Sequence, residues 1–485
     1  MYKKKAHVHF VGIGGIGMSG IAMILKKQGY TISGCDADMH QKSIEDLKSI
    51  GCQIYEGNNT EGCKNKDIDI LVYSSAIKNM NPEILAAQER GIPTISRALM
   101  LAELMRTKYS IAIAGAHGKT TTTSMISHIL IDSNIDPTVI IGGHLKNIST
   151  NARLGLSDFL VAEADESDKS LVKLQATLAV VTNIDLEHLE TYKNLDEIKD
   201  TFKIFLNNLP FYGKAFLCID DANIKSILPM PHLKIVKYGL DQELSDIYAR
   251  NIQLNPDNSI FEIVIKKTAA EVTRTEEQIT VTQKVIVQTE ESLGKVTLNM
   301  PGIHNVKNCI AAISVSLDVG LKFEQIVKSI ESFKGIERRF CFRGNYKGAE
   351  IFDDYGHHPE EIRNTIEVAK NRAKGKLIVA FQPHRYSRTK MLWDNFIDAF
   401  VNCKIDRLII TDIYAASEAP IENINSKRLV EEILKIKPEI QIAYGSYNDD
   451  LTNIKDYIDL HVQENDLILS LGAGKITNLA TILNK

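Results

Sequence analysis

The chain has 485 residues, 44% hydrophobic and 24% charged, with 57 Lys and Arg against 61 Asp and Glu for a formal net charge of −4. Such a length suits about three domains, and the near-balance of charge excludes a basic footprint for nucleic acid while leaving room for a local anion pocket. Seven cysteines, none in a C-x-x-C pair, read as reduced core thiols rather than disulfides or zinc ligands.

The N-terminus, MYKKKAHVHFVGIGG, superficially resembles a signal peptide. Four glycines between Gly12 and Gly17 interrupt its apolar run, and no small-residue cleavage site follows. No stretch has the ~18 uninterrupted apolar residues of a membrane span. The expectation is therefore a cytoplasmic protein with neither membrane nor nucleic acid as partner, acting as a monomer or homodimer.

Three times the chain repeats an apolar strand, a glycine-rich turn and a helical pattern. The first unit opens with VHFV and continues through TISGCD, ILVYSSAI and PTIS, before a helix and connector over Ala98–Ser110. The second opens with IAIAGAHGKTTTT and continues through FLVAEADESD, LAVVTNID and FLCIDD. From Ile247 to Leu298 the pattern changes to a period of two, as in FEIVIKK, which predicts antiparallel hairpins. Within it, the tract Thr268–Leu293 reads as an exposed insertion without chemistry. A third unit begins near Lys334 with EIFDDYG, KLIVAFQP and RLIITDIY and closes on DLILSLGAGK. This alternation predicts an α/β fold of three domains. Residues 1–107 form an N-terminal Rossmann-like domain. Residues 108–333 form a central P-loop ATPase-like domain, with a parallel sheet and a small antiparallel portion. Residues 334–485 form a C-terminal Rossmann-like domain.

Gly12-x-Gly14-x-x-Gly17 follows a strand and opens a helix, with Asp36 after the next strand. Glycines let the backbone approach a diphosphate, and the helix N-terminus supplies positive potential. The pattern fits NAD or a UDP-sugar equally, and glycines can also serve only strand–helix packing. In the second unit, Gly118-Lys119-Thr120 matches the working end of a phosphate loop. Lys119 would pair with phosphates and Thr120 would reach Mg²⁺. The usual first glycine is replaced by Ile113, and the following threonines can also be helix caps.

Two candidate metal-holding clusters follow the next strands: Glu163, Asp165, Glu166 and Asp168, then Asn183, Asp185, Glu187 and His188. At the carboxyl ends of parallel strands, both are expected on the phosphate loop's edge. Four acids in six residues repel one another unless a cation sits among them. A solvated acidic loop is the alternative.

At this point the residues resemble the Mur ligase family, closest in wording to its alanine-adding branch. The resemblance rests on GIGGIGMSGIA, VYSSAI, AGAHGKTTTT, EADESD, TNIDLEH, NMPGIHNVKN, KGIERRF, DDYGHHPEE and FQPHRYSRT, in that order along essentially the whole chain. Ala116 stands where the family often has threonine, and Glu187 where an aspartate commonly precedes the histidine.

The resemblance implies ATP-dependent ligation of L-alanine to UDP-N-acetylmuramate in peptidoglycan precursor synthesis. ADP and phosphate leave after an acyl-phosphate intermediate. The ligands are ATP, UDP-N-acetylmuramate, L-alanine and Mg²⁺, with two ions expected and Mn²⁺ as a substitute. It assigns Gly14, Gly15, Ile16, Gly17, Asp36, Ser74 and Ser75 to the UDP-sugar. Gly115, His117, Gly118, Lys119, Thr120 and Thr121 go to ATP, with His304, Asn305, Asn308, Arg339 and Asp354. Asn305 can alternatively cap its helix. Thr120, Glu163 and His188 become metal ligands, and Tyr355, His357, Arg385 and Arg388 hold the amino acid. Lys119, His188, His357 and Arg388 are the expected catalytic set, with His357 or His188 as the base for the amine. His358 is expected only to pack. Lys199 and Lys203 lie where several relatives carry a carbamylated lysine, which is not expected in this branch.

The rivals are an NAD-dependent dehydrogenase, a non-catalytic UDP-sugar-binding protein, and a Mur ligase that adds another amino acid or a peptide.

Overall fold

The computed structural model describes residues 5–57, 67–74, 77, 80–141, 152–188, 191–271, 285–416, 418–447 and 451–484. Three sheets follow one another along the chain.

The first contains β1 (His7–Val11), β2 (Thr31–Asp36), β3 (Gln53–Glu56), β4 (Ile70–Tyr73) and β5 (Thr94–Ser96), in the order β3-β2-β1-β4-β5. All neighbours are parallel, with Val8 opposite Ile32 on one side and Ile70 on the other. The strand order reverses direction between β1 and β4, the switch point where open parallel sheets bind ligands. The glycine loop after β1 and Ser74 after β4 therefore share one crevice. The helix Ile16–Lys27 that follows the loop is buried from Met18 to Leu25 and carries Lys26 and Lys27 at its negative C-terminal end.

The second sheet contains β6 (Tyr109–Ala114), β7 (Thr138–Ile140), β8 (Ala152–Arg153), β9 (Phe159–Glu163), β10 (Leu178–Val181), β11 (Lys214–Cys218), β12 (Lys234–Gly239), β13 (Ile247–Leu254), β14 (Ser259–Glu271) and β15 (Val285–Leu298). Their order is β15-β14-β13-β12-β11-β10-β6-β9-β7-β8. The sheet is parallel from β13 to β7 and antiparallel at its ends. The expected antiparallel hairpins are thus β13, β14 and β15. The tract Thr268–Leu293 is an extension of one of them. Its ladder runs on through Thr268 opposite Gln288 to Glu271 opposite Val285, and residues 272–284 lie outside the described ones.

The third sheet contains β16 (Cys341–Tyr346), β17 (Ala349–Asp354), β18 (Leu377–Phe381), β19 (Arg407–Thr411), β20 (Ile442–Gly445) and β21 (Leu467–Leu471), ordered β16-β17-β21-β18-β19-β20. Only the β16–β17 pair is antiparallel.

Fully buried strands such as LIVAF in β18 need apolar cover on both faces. On one face, Phe381 packs against Phe396 and Phe400, with ring centres 5.9 and 5.1 Å apart. On the other, Ile378 and Ala380 meet Ile454, Ile458 and Leu479. The first two sheets share one continuous core. Its centre is the helix Lys119–Asp132, buried from Thr121 to Leu130 and packed against the helices Ile303–Asp318 and Phe323–Ser332. That burial fixes the start of the helix, where the phosphate loop ends.

Candidate active site

The order β10-β6-β9 sets the carboxyl end of β6 between those of β9 and β10. The loop Ala114–Thr120 is thereby flanked by both acidic segments, as their positions after strands predict. Gly115 and Gly118 take φ of +134° and +82°, where side chains are strained. A Cβ on Gly115 would also run into Thr182 Oγ1, and one on Gly118 would lie 2.5 Å from Asn308 Oδ1.

The loop is clamped from β10. His117 N–H donates to Asn183 Oδ1 at 2.8 Å, while Asn183 Nδ2 and Thr182 Oγ1 donate to the His117 carbonyl at 2.9 and 2.6 Å. Lys119 Nζ donates to the Gly115 carbonyl, to the Ala116 carbonyl at 3.1 Å and to Glu166 Oε1 at 2.7 Å. Burial pulls the ammonium down, but Glu166 outweighs it and holds Lys119 above its ordinary value. Tyr192 braces this acidic turn, its hydroxyl donating to the Glu166 carbonyl at 2.5 Å.

His188 takes a positive φ of 55° and brings Nε2 to 3.6 Å from both Glu166 Oε1 and Glu187 Oε2. Among the described residues, these three offer ligand atoms within 4.8 Å of one another, and His117, Glu187 and His358 form a second such group. The group gathered around His188, expected at a second ion apart from Thr120 and Glu163, contains Glu166 and Glu187. Glu163 ends β9 opposite Ile113 of β6, and Thr120 lies in the helix's first turn. Lys203 pairs with Asp200 at 3.0 Å on an exposed helix face, outside both groups.

A cavity of about 540 Å³ opens beside the loop, lined by His117, Gly118, Thr121, His304, Asn305 and Asn308 and closed by Arg339 and Asp354 of the third domain. Asn305 is not a helix cap. The helix starts at Ile303 after Gly302, and Asn305 Nδ2 donates back to the Pro301 carbonyl at 2.7 Å. Asn308 Oδ1 accepts from Thr122 Oγ1 at 3.3 Å. Burial, with Arg339 nearby, lowers His304 to about 4, so its ring is neutral. Burial raises the Asp354 carboxyl, which accepts the Phe340 and Gly356 N–H groups at 2.7 Å each.

The third domain reaches the loop through the start of its helix Pro359–Arg372. The His358 ring rests 4.7 Å from that of His117 and approaches Glu187 Oε1 at 3.7 Å. Packing is part of its role, as expected, but it also faces two carboxylates across the domain seam. Burial disfavours a charged His117, yet Glu187, Asp185 and Glu361 outweigh it and raise the ring to about 10. Asp185 falls to about 2, chiefly through its hydrogen bond with His117.

A smaller pocket beside this seam is lined by Glu187, His188, Arg385, Arg388 and the apolar Leu186 and Met391. His357 Nδ1 lies 3.1 Å from the Tyr355 carbonyl, which can only accept, so the proton sits on Nδ1 and Nε2 keeps its lone pair. Burial lowers His357 to about 4. Arg388 Nη1 donates to His384 Nδ1 at 3.0 Å, and Arg385 lies 3.8 Å from Glu418.

In the first domain, Gly14 N–H donates to Asp36 Oδ2 at 2.7 Å, and Asp36 also accepts from Asp38 N–H at 3.0 Å. Asp36 therefore shapes the glycine loop. Gly15 precedes the helix that Ile16 starts, Ser74 abuts Gly12, and Ser75 lies outside the described residues. A Cβ on Gly17 would lie 2.6 Å from Arg97 Nη1, and Arg97 Nη2 pairs with Asp165 at 3.1 Å. Burial alone would raise Asp165, but Arg97 and Lys119 bring it down to about 2. Arg97 and Glu361 escaped the sequence reading, whereas Asn183, read as part of the second candidate metal cluster, clamps the loop instead. The long-range partners of Arg97 and Glu361 leave no local spacing to read, though Arg97 directly follows the strand PTIS.

Family models match all three units: "Mur ligase family, catalytic domain" over residues 7–109, "Mur ligase middle domain" over 113–316 and "Mur ligase, glutamate ligase domain" over 338–474. The chain belongs to the Mur ligase family. It is 45% identical to the UDP-N-acetylmuramate–L-alanine ligase of Geotalea uraniireducens, covering 100% of this chain and 98% of that one. The protein of the same name from Geobacter sulfurreducens is also 45% identical, over 98% and 96%. Among solved structures, a UDP-N-acetylmuramate–alanine ligase from Thermotoga maritima superposes with a TM-score of 0.75 at 24% identity, covering 99% and 98%. A murein peptide ligase from Psychrobacter arcticus gives 0.68 at 22%, covering 99% of each chain. At those identities the two structures show the shared three-domain fold. No helix among the described residues is long and apolar enough to cross a membrane.

Proposed function

We infer that this chain joins L-alanine to UDP-N-acetylmuramate, converting ATP to ADP and phosphate in peptidoglycan precursor synthesis. The observation that carries the reading is the meeting of the Lys119 loop, the Glu166–Glu187–His188 group and the third domain's Arg339, His357 and Arg388 around one seam. The full-length relatives of the same name support it.

ATP lies in the large cavity, its adenine side against His304, Asn305 and Asn308 and its phosphates on Gly115, His117, Gly118, Lys119, Thr120 and Thr121. Arg339 and Asp354 approach it from the third domain. The UDP-sugar lies on the glycine loop, with Gly14, Gly15, Ile16, Gly17, Asp36, Ser74, Ser75 and the newly recognised Arg97. Domain limits at residues 107 and 333 fit these assignments, and the cytoplasm is the compartment that supplies ATP.

Mg²⁺ fits the site. Glu166 Oε2 is buried without a hydrogen-bond partner, and carboxylate and imidazole donors converge beside Lys119. Glu166, Glu187 and His188 would hold one ion, and Thr120 with Glu163 a second; Mn²⁺ suits the same donors. The metal supplies charge neutralisation where two anions meet.

The lactyl carboxylate of the sugar attacks the γ-phosphate, and ADP leaves. Lys119 binds the transferring phosphoryl oxygens and stabilises their developing charge. The acyl phosphate is then attacked by the alanine amine, and phosphate departs. Arg385 and Arg388 hold the alanine carboxylate through their planar forks. His357, neutral and with a free Nε2, takes the amine proton; His188 is committed to metal and cannot. The third domain's cover over the seam excludes water from the acyl phosphate.

The test is phosphate release from ATP with Mg²⁺ and UDP-N-acetylmuramate, each amino acid added singly, for wild type and Lys119→Ala. Release that needs both L-alanine and the sugar nucleotide, and is lost in the variant, is expected. Equal release with another amino acid or a tripeptide would overturn the specificity. No turnover would favour a non-catalytic UDP-sugar-binding protein.

A further inference from the structure

One partly buried carboxylate touches three groups that the proposed reaction uses separately. Glu361 is at the third helical position of Pro359–Arg372, at the domain seam. Its Oε1 accepts from Arg339 Nη1 at 3.2 Å and lies 3.8 Å from His117 Nδ1 of the phosphate loop. Its Oε2 accepts the His357 N–H at 3.1 Å and the His358 N–H at 3.5 Å, and lies 3.6 Å from His357 Nδ1.

Each contact has a local reason. An acid three residues after a helix's first capping residue can turn back onto the free N–H groups there. That return points its second oxygen away from the helix, toward the cations of the seam. Arg339 flanks the ATP cavity, and His357 borders the amino-acid side through its ring contact with His384, 5.6 Å away. The Arg339 ion pair lies within the third domain, whereas the His117 pair crosses to the central one. Asp185 and Glu187 of the central domain face the same ring stack. His117 is thus the cation that lets the acids of two domains approach.

We propose that Glu361 is a positioning residue that ties closure of the third domain on the phosphate loop to the setting of His357 on the amino-acid side. This rests on the placement of ATP and alanine given above. Glu361 lines the ATP cavity beside Arg339 but is given no part in the bond-making steps. It acts through Arg339 and His117 toward the nucleotide and through the His357 backbone toward alanine. Closure and alanine capture then form one event, which keeps the acyl phosphate from forming in an open, wet site.

The test compares wild type, Glu361→Gln and Glu361→Ala in full-length protein. Glu361→Ala is expected to raise KM for both ATP and L-alanine at least tenfold while leaving KM for UDP-N-acetylmuramate within twofold. Glu361→Gln keeps an acceptor for the His357 N–H and loses the charge facing Arg339 and His117. It is expected to raise KM for ATP chiefly. In a cycle with His117→Asn, the double variant is expected to lose no more than the worse single one. Small-angle scattering is an arm that needs no turnover: the substrate-free Glu361→Ala chain is expected to have a larger radius of gyration than wild type. A lower melting temperature with all three KM values and the radius unchanged would overturn the proposal and leave Glu361 a helix cap. Unaltered closure would do the same even if wild type had no ligase activity, an outcome that by itself strikes the proposed function instead.

Discussion

Lys119 Nζ lies 2.7 Å from Glu166 Oε1, in an ion pair whose acid is 4% exposed and whose base is 18% exposed. An incoming γ-phosphate would take Lys119 from this partner, and a bound cation would take Glu166. The pair therefore holds both groups in place for those ligands. Removing the base alone leaves a buried carboxylate uncompensated, which is costly. Lys119→Met is expected to cut phosphate release by about 10²–10³-fold and to lower the melting temperature. Adding Glu166→Gln is expected to recover most of the melting temperature and none of the turnover. Scanning calorimetry and a phosphate assay on the two variants separate these effects, and joint recovery would count against a phosphate-binding Lys119.

Backbone geometry gives a second expectation. Gly115 combines a φ of +134° with no room for a Cβ against Thr182, whereas Gly57 has a φ of +93° and open space around it. Gly57→Ala incurs only backbone strain, about 1 kcal/mol. Gly115→Ala adds a clash that the His117–Asn183 clamp cannot relieve, and is expected to lose both stability and nucleotide binding. Urea denaturation and titration with an ATP analogue check this. Equal stability loss in the two variants would show that the loop yields.

The residues that act through their own strand or loop were legible in the sequence. Gly115, Gly118 and Lys119 announce themselves by spacing, and period-two patterning marked β13 to β15. Short edge strands such as β3, β16 and β20 were not legible, because four to six half-exposed residues carry little periodic signal. The site's cross-domain contacts were equally hidden. Arg97 meets Asp165 across 68 residues and His117 faces Glu361 across the domain seam, distances that only the packed fold closes. Asp36 and Asn305 were legible as positions, but their immediate partners are the glycine loop and the Pro301 carbonyl.

The histidines of the seam predict opposite effects of pH on stability. His304 and His357 are each lowered to about 4 by burial. In the unfolded chain such rings take up protons near 6.5. Between pH about 4 and 6.5 the unfolded state then binds more protons, so stability falls as pH drops through that window. His117, raised to about 10, works the other way. Its contribution is complete below pH 6.5 and is lost as pH rises through about 10. Chemical denaturation from pH 4.5 to 9.5 is expected to show His357→Asn flattening the acid slope and His117→Asn the alkaline one. Slopes unchanged by either substitution would contradict the buried neutral and charged rings.

The last expectation concerns how an arginine recognises a small amino acid. Arg388 Nη1 donates to His384 Nδ1 at 3.0 Å, and burial lowers His384 to about 3, so that ring stays a neutral acceptor at physiological pH. One edge of the guanidinium is thereby fixed, and Arg388 lines the pocket shared with His188 and Met391. Lysine would keep the charge but not a planar fork held at one edge. A hydrogen bond to a charged partner contributes about 1.5–3 kcal/mol, so Arg388→Lys is expected to raise KM for L-alanine by about ten- to a hundredfold. KM for ATP and for the sugar nucleotide is expected to stay within about threefold, since neither touches this pocket in the proposed arrangement. Initial-rate kinetics with each substrate varied in turn decide the matter. A comparable rise for all three would mean that Arg388 supports the seam as a whole and that the alanine carboxylate is held elsewhere.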